Sequence, residues 1–288
     1  MQVTRRSLVG LGLLAIAGVA QAQSNPLAKG PDPTNASIQQ DGPFTLSTTT
    51  ISRSAANGFG GATVYVPNTT GTYAVVAFCP GFTGTQSSIA VLGRRLATHG
   101  FVVATIDTNS VYDLPESRGT QLRAALTRVV GLNSGTTIAS GKIDATRMVV
   151  TGHSMGGGGT LFASRSNPGI KAGVPLAPYS SNPKSFSTPV PQMIIGGEID
   201  NVAPVSQHSI AFYNGLPDAT PKVYAAIESA DHYFPNSSTP NQPTSKFQIA
   251  WIKRFADNDV RYTQFVNTAA ITAERNAGRL SDARIESF

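Results

Sequence analysis

The sequence predicts an α/β domain built on a mostly parallel sheet with helices on both faces. Three observations predict it. Runs rich in β-branched residues, without polar alternation, recur at 72–79, 101–107, 147–152, 170–178, 191–198 and 221–228. Segments with helical spacing lie at 87–100, 115–132, 155–165, 205–216 and 245–259. The two patterns take turns along most of the chain, and strands apolar on both sides need helices over both faces.

Each element has a local reason. Residues 44–53 and 62–67 read as an antiparallel pair joined by the glycine-rich turn Asn57-Gly58-Phe59-Gly60-Gly61. The 87–100 helix stops at His99-Gly100, and the 115–132 helix opens with Pro115. The 155–165 helix opens on glycines. In the 245–259 helix, Phe247, Ile249, Ala250, Trp251, Ile252 and Phe255 form an apolar face. Only a short Pro/Ser-rich loop joins 170–178 to 191–198, which leaves no room for a lid or cap domain. Sites in such folds lie at the carboxyl ends of the strands, so a shallow, open site is expected.

The 288 residues suit one α/β domain, and 40% hydrophobic residues supply a sizeable core. Charged residues make up 13%, about half the usual share. Arg5 and Arg6 precede an apolar run shorter than the about 20 residues a membrane helix needs, and Ala20-Gln21-Ala22 offers a small-x-small cleavage site. Residues 1–22 are therefore expected to be a secretory signal peptide and 23–288 a single catalytic domain. Thr4 to Leu8 also resembles a twin-arginine signal. Removing Arg5 and Arg6 lowers the formal charge of +6 by two. The remaining basic residues are scattered, which argues against nucleic acid. Cys79, the single cysteine, sits in an apolar run and reads as a small buried hydrophobe. No His/Cys cluster suggests a metal site.

The chemistry concentrates at Gly152-His153-Ser154-Met155-Gly156, between a buried strand and a glycine-opened helix. This is the G-x-S-x-G pattern of a nucleophile elbow. The turn is tight enough that flanking side chains would clash. It exposes the serine oxygen beside helix N-terminal N–H groups that favour a developing oxyanion. A serine needs a base, and the base an orienting acid, in the chain order Ser, Asp or Glu, His. His208 and His232 follow Ser154. His208 falls within the apparent 205–216 helix, where a solvated surface position is expected. His232 lies in the loop after the last strand pattern and is favoured as base. Asp200 best ends a strand between serine and base, with Glu198 as the alternative. The N–H of Met155 is one oxyanion donor, and the N–H of Phe82, after the Pro80-Gly81 turn, is the candidate second. Phe82, Met155, Tyr179 and Val202 would line an apolar groove beside Ser154.

The blocks around these residues resemble the bacterial cutinase and polyester hydrolase family, which includes the PET-degrading enzymes. Asn57–Pro67, Pro80–Thr108, Gly152–Leu161, Gly196–Val205, Ala230–Asn236 and Ala250–Phe265 look like its successive motifs. The resemblance implies an α/β-hydrolase fold, secretion to an extracellular or periplasmic location, and hydrolysis of cutin-like polyesters and PET without a cofactor. It implies a triad of Ser154, Asp200 and His232 and an oxyanion hole at Phe82 and Met155. The expected partner is a polyester or other ester substrate, for a monomer with no nucleic acid and no membrane span in the mature chain. Phe82 stands where the family usually has tyrosine, and Tyr179 where it usually has tryptophan. The family's C-terminal disulfide cannot form here. A small-ester esterase, a lidless lipase and a non-catalytic polymer-binding protein are the rival readings.

Overall fold

A computed structural model describes residues 25–181, 188–238 and 242–286. The expected signal peptide lies outside these residues. The strands are β1 (Leu46–Ile51), β2 (Gly61–Pro67), β3 (Tyr73–Cys79), β4 (Val102–Asp107), β5 (Ile143–His153), β6 (Ile170–Leu176), β7 (Gln192–Gly197), β8 (Lys222–Ile227) and β9 (Leu280–Ile285). The helices are α1 (Arg53–Ala56), α2 (Ala90–Thr98), α3 (Pro115–Val130), α4 (Met155–Arg165), α5 (Ser209–Gly215), α6 (Gln242–Ala256) and α7 (Thr268–Asn276). One nine-stranded sheet runs in the order β1-β2-β4-β3-β5-β6-β7-β8-β9. The strands from β4 to β8 pair in parallel, while β1, β2 and β9 join antiparallel. The sheet is thus mostly parallel, and this is the α/β-hydrolase architecture.

Alternation along β3 sorts the core. Ala74, Val76 and Phe78 pack with Leu92, Leu96, Phe247 and Trp251 from α2 and α6. Val75, Ala77 and Cys79 pack on the other face with Leu122, Leu126 and Val129 from α3. Successive strand side chains point to opposite faces, so a strand buried on both sides must be apolar throughout. Trp251 is fully buried, and truncation to alanine there would destabilise by about 3–5 kcal/mol.

Strand order positions the site. From β3 the chain crosses to β4 on one side and later to β5 on the other. The carboxyl ends of β3 and β5 therefore flank a switch point, where α/β sheets form their crevice. Residues 80–82 follow β3 and Ser154 follows β5. Residues 182–187 of the β6–β7 loop lie outside the described residues. Among those described, no helix is inserted between these two strands, and no helix is long and apolar enough to cross a membrane.

Two features depart from the sequence reading. The chain continues past α6 through a 3-10 helix (Val260–Phe265), α7 and the antiparallel edge strand β9. His208 is not a solvated helix residue. It is the buried N-cap of α5, and its ring stacks on Tyr179.

Candidate active site

Ser154 sits between β5 and α4 with φ 55° and ψ −118°. For a non-glycine residue this conformation costs about 1–3 kcal/mol and persists only when its surroundings fix it. They do: its N–H donates to the Leu176 carbonyl at 2.9 Å, and its carbonyl accepts N–H groups of Gly158 at 3.0 Å and Tyr179 at 2.9 Å. The glycines follow from crowding. A Cβ on Gly152 would stand 2.2 Å from the Gly156 carbonyl oxygen.

Ser154, Asp200 and His232 come together here. His232 Nε2 lies 2.9 Å from Ser154 Oγ, and His232 Nδ1 lies 2.7 Å from Asp200 Oδ2. All three residues are buried. The other Asp200 oxygen accepts the N–H groups of Val202 at 2.9 Å and Ala203 at 2.7 Å. Burial by itself would raise the Asp200 pKa, but hydrogen bonds from His232, Ala203 and Val202 outweigh it and hold the carboxyl below its ordinary value. An ionised Asp200 accepts a hydrogen bond from Nδ1–H, which leaves the Nε2 lone pair for the serine hydroxyl. The acid-bearing and base-bearing loops are bound together, with the Ile199 N–H on the Ala230 carbonyl at 3.0 Å. Glu198, the alternative acid, is exposed and accepts the Ser229 N–H at 2.8 Å, away from the ring of His232.

The oxyanion candidates are backbone donors. Among the described residues, the N–H groups of Phe82 and Met155 have no protein acceptor. Thr83, just after Phe82, holds φ at 58°, unusual for a β-branched residue. A cleft of about 150 Å³ opens above Ser154, lined by Gly81, Phe82, His153, Val202, His232 and Tyr233 among others. Of the four residues expected to line the groove, Phe82 and Val202 border this cleft. Met155 and Tyr179 stand outside its lining, and Tyr179 stacks on His208 with ring centres 4.8 Å apart. Phe82 is 50% exposed and meets Tyr112, 66% exposed, edge to face at 5.6 Å.

Sequence reasoning missed Tyr112 and Tyr233 as exposed aromatics beside the cleft. The signal for Tyr233 was its place next to His232. It also assigned nothing to Arg118, which lies beneath the Phe82 loop. His153 also lines the cleft. Burial first, then the neighbouring His232, pushes its pKa down to about 3, so the ring is neutral. No cluster of metal-ligating side chains occurs among the described residues.

A serine, histidine and aspartate hydrogen-bonded in a row, at a strained strand-to-helix turn of an α/β-hydrolase sheet, define a serine-hydrolase-type site. The comparisons narrow the class. A sequence profile described as PET hydrolase-like matches residues 21–284. The chain is 48% identical over 244 residues to Cutinase 1 of Thermobifida cellulosilytica, covering 84% of this chain and 92% of that one. It is 46% identical over 268 residues to a cutinase of Thermobifida fusca (strain YX), covering 92% and 87%. It is 46% identical over 259 residues to a bis(hydroxyethyl) terephthalate hydrolase of Streptomyces coelicolor, covering 89% and 81%. The chain belongs to the PET hydrolase-like family.

Proposed function

We propose that this protein is a secreted, monomeric serine ester hydrolase that cleaves polyesters, with residues 1–22 as export signal and 23–288 as one catalytic domain. The observation that carries the reading is the row Asp200–His232–Ser154, with contacts of 2.7 and 2.9 Å, beneath an open cleft. Ester and polyester substrates accord with relatives named cutinase and bis(hydroxyethyl) terephthalate hydrolase. The exposed rings of Phe82, Tyr112 and Tyr233 suit contact with a polymer surface.

In the proposed reaction, His232 Nε2 takes the Ser154 proton as Oγ attacks the ester carbonyl. The N–H groups of Phe82 and Met155 bind the resulting oxyanion. Asp200 holds the ring and stabilises its transient positive charge. His232 returns the proton to the departing alcohol oxygen and leaves an acyl-serine. Water, deprotonated by His232, then attacks the acyl carbonyl, and His232 gives that proton to Ser154 Oγ as the acid leaves. The steps use only side chains and backbone donors of this chain.

Ser154→Ala tests the reading. Its hydrolysis of a p-nitrophenyl ester should fall at least about 10³-fold, and a serine-directed phosphonate should label wild type at Ser154 alone. Retained hydrolysis overturns the mechanism. Release of acid from aliphatic and aromatic polyester films tests the substrate, since an esterase restricted to small esters would leave film intact.

A further inference from the structure

Arg118 is fully buried in the first turn of α3. Three features make that placement expensive. A cation at a helix N-terminus opposes the helix dipole. A buried charge carries a large desolvation penalty. Among the described residues its guanidinium hydrogen-bonds no carboxylate. It donates instead to three backbone carbonyls: Nε to Asp113 at 2.7 Å, Nη1 to Pro80 at 3.1 Å and Nη2 to Val111 at 2.8 Å.

Those carbonyls bracket Phe82. Pro80 lies two residues before it. The Val111 carbonyl that accepts Nη2 also accepts the N–H of Thr83, one residue after it, at 2.9 Å. The guanidinium thus grips the loop directly on one side of the Gly81–Phe82 peptide and through Val111 on the other. Two of the three bonds hold Val111 and Asp113, and so flank Tyr112, whose ring meets Phe82. The α4 side is tightly packed too, since a Cβ on Gly159 would stand 2.9 Å from the Arg118 Cβ.

We propose that Arg118 is a positioning residue for the oxyanion hole: its planar fork, bound to Pro80, Val111 and Asp113, fixes the strained Phe82–Thr83 loop so that the Phe82 N–H meets the tetrahedral oxyanion. A fork of fixed geometry suits this task, and a lysine ammonium cannot span three carbonyls. The inference rests on the reading of Ser154 as nucleophile and Phe82 as oxyanion donor.

The test uses Arg118→Met, Arg118→Gln and Arg118→Lys in the full chain, each first shown to melt cooperatively. On a soluble p-nitrophenyl ester, kcat should fall about 10- to 100-fold, short of the about 10²–10³-fold lost when a donor is deleted outright. KM should stay within twofold. The inhibition constant of an alkyl boronic acid, whose serine adduct places an oxygen in the hole, should rise by the same factor as kcat falls. Lysine should rescue no more than threefold over methionine. Folded variants with wild-type kcat and boronate affinity overturn the proposal, as does full rescue by lysine. A set in which no variant folds overturns it as well, because a positioning role requires a folded protein with an impaired site. Inactive Ser154→Ala beside active Arg118 variants sinks only this inference. Active Ser154→Ala sinks the mechanism beneath it.

Discussion

His153 Nε2 lies 2.9 Å from the carbonyl oxygen of His232, so the residue before the serine holds the loop that carries the proposed base. Burial keeps the His153 ring neutral, with its pKa near 3. A neutral ring bonded to a carbonyl carries its proton on that nitrogen, which fixes the tautomer. The bond sets the height of His232 over Ser154. Removing one such bond is worth about 1–1.5 kcal/mol, or about 5- to 10-fold in rate. His153→Ala is therefore expected to lower kcat on a p-nitrophenyl ester by about that factor. An unchanged kcat would show that the His232 loop needs no such support.

Asp200→Asn isolates the orienting acid. One asparagine oxygen can still accept the Val202 and Ala203 N–H groups. Its amide nitrogen then faces His232 Nδ1 and favours the tautomer with the proton on Nε2, which cannot accept from serine. A fall in kcat of about 10³–10⁴-fold is expected, with the melting temperature nearly unchanged. A loss below tenfold would assign the acid role elsewhere.

Acid sensitivity follows from two buried histidines. Burial pushes His99 down to about 4 and His153 to about 3, from 6.5. Both are neutral in the fold but bind protons in the unfolded chain below about pH 6.5. Stability therefore falls as pH drops from there towards 4, by up to about 1.4 kcal/mol per unit for each group. Asp200, held below 3.8, loses its contribution only at lower pH. His99 Nε2 bonds the Gln40 carbonyl at 3.0 Å, a bond that glutamine can keep. Urea midpoints of His99→Gln should fall less steeply than wild type between pH 7 and 5. Equal slopes would mean that His99 titrates normally in the fold.

The C-terminal region is closed by charge. Lys246 and Glu274, both nearly buried, pair at 2.7 Å, and Arg279 binds the same carboxylate. Lys246 also donates to Asn35 at 3.0 Å, which ties the N-terminal segment to α6. Lys246→Met leaves a largely buried carboxylate with only the half-exposed Arg279. A loss of about 3 kcal/mol or more is expected in urea unfolding, with little change in kcat. A loss within 0.5 kcal/mol, about what an ordinary surface change gives, would mean that Arg279 alone satisfies Glu274.

What was legible in the sequence was whatever periodicity and turn chemistry write locally. β3, β4, β6, β7 and β8 coincide with largely apolar runs, whereas β5 starts at Ile143, four residues before the run at 147–152, because its amino end carries Asp144 and Thr146. Ser154, Asp200 and His232 were singled out by motif, strand ends and chain order, and the structure brings these three within hydrogen-bonding distance. β9 was not legible because its residues are mostly half-exposed and polar; only Leu280 is buried, as suits an edge strand. Nothing in the helical spacing around Arg118 and Lys253 marks either as fully buried. Arg118 is buried against the carbonyls of Pro80, Val111 and Asp113, and Lys253 against Asp257 at 2.8 Å and the Phe101 ring. His208 reads as a surface residue until Tyr179, 29 positions earlier, is folded onto its ring.

Gly156 couples the elbow to the proposed oxyanion loop. A Cβ there would stand 2.4 Å from the Cys79 carbonyl oxygen and 2.5 Å from that of Pro80. Both contacts are backbone, so neither can swing aside as a side chain would. Gly156→Ala must push α4 away from β3 or lift the Pro80–Phe82 turn, and either shift moves the Met155 and Phe82 donors apart. A misplacement of about 1 Å can reduce rate about 10²-fold, so kcat should fall by at least that much in protein that still folds. Gly131→Ala is the control. Its φ of −62° suits alanine, and nothing lies within 4 Å of the added carbon. It should leave kcat unchanged and stabilise by about 0.4–1 kcal/mol. A folded Gly156→Ala protein with kcat within threefold of wild type would show that the elbow and the Phe82 loop move independently.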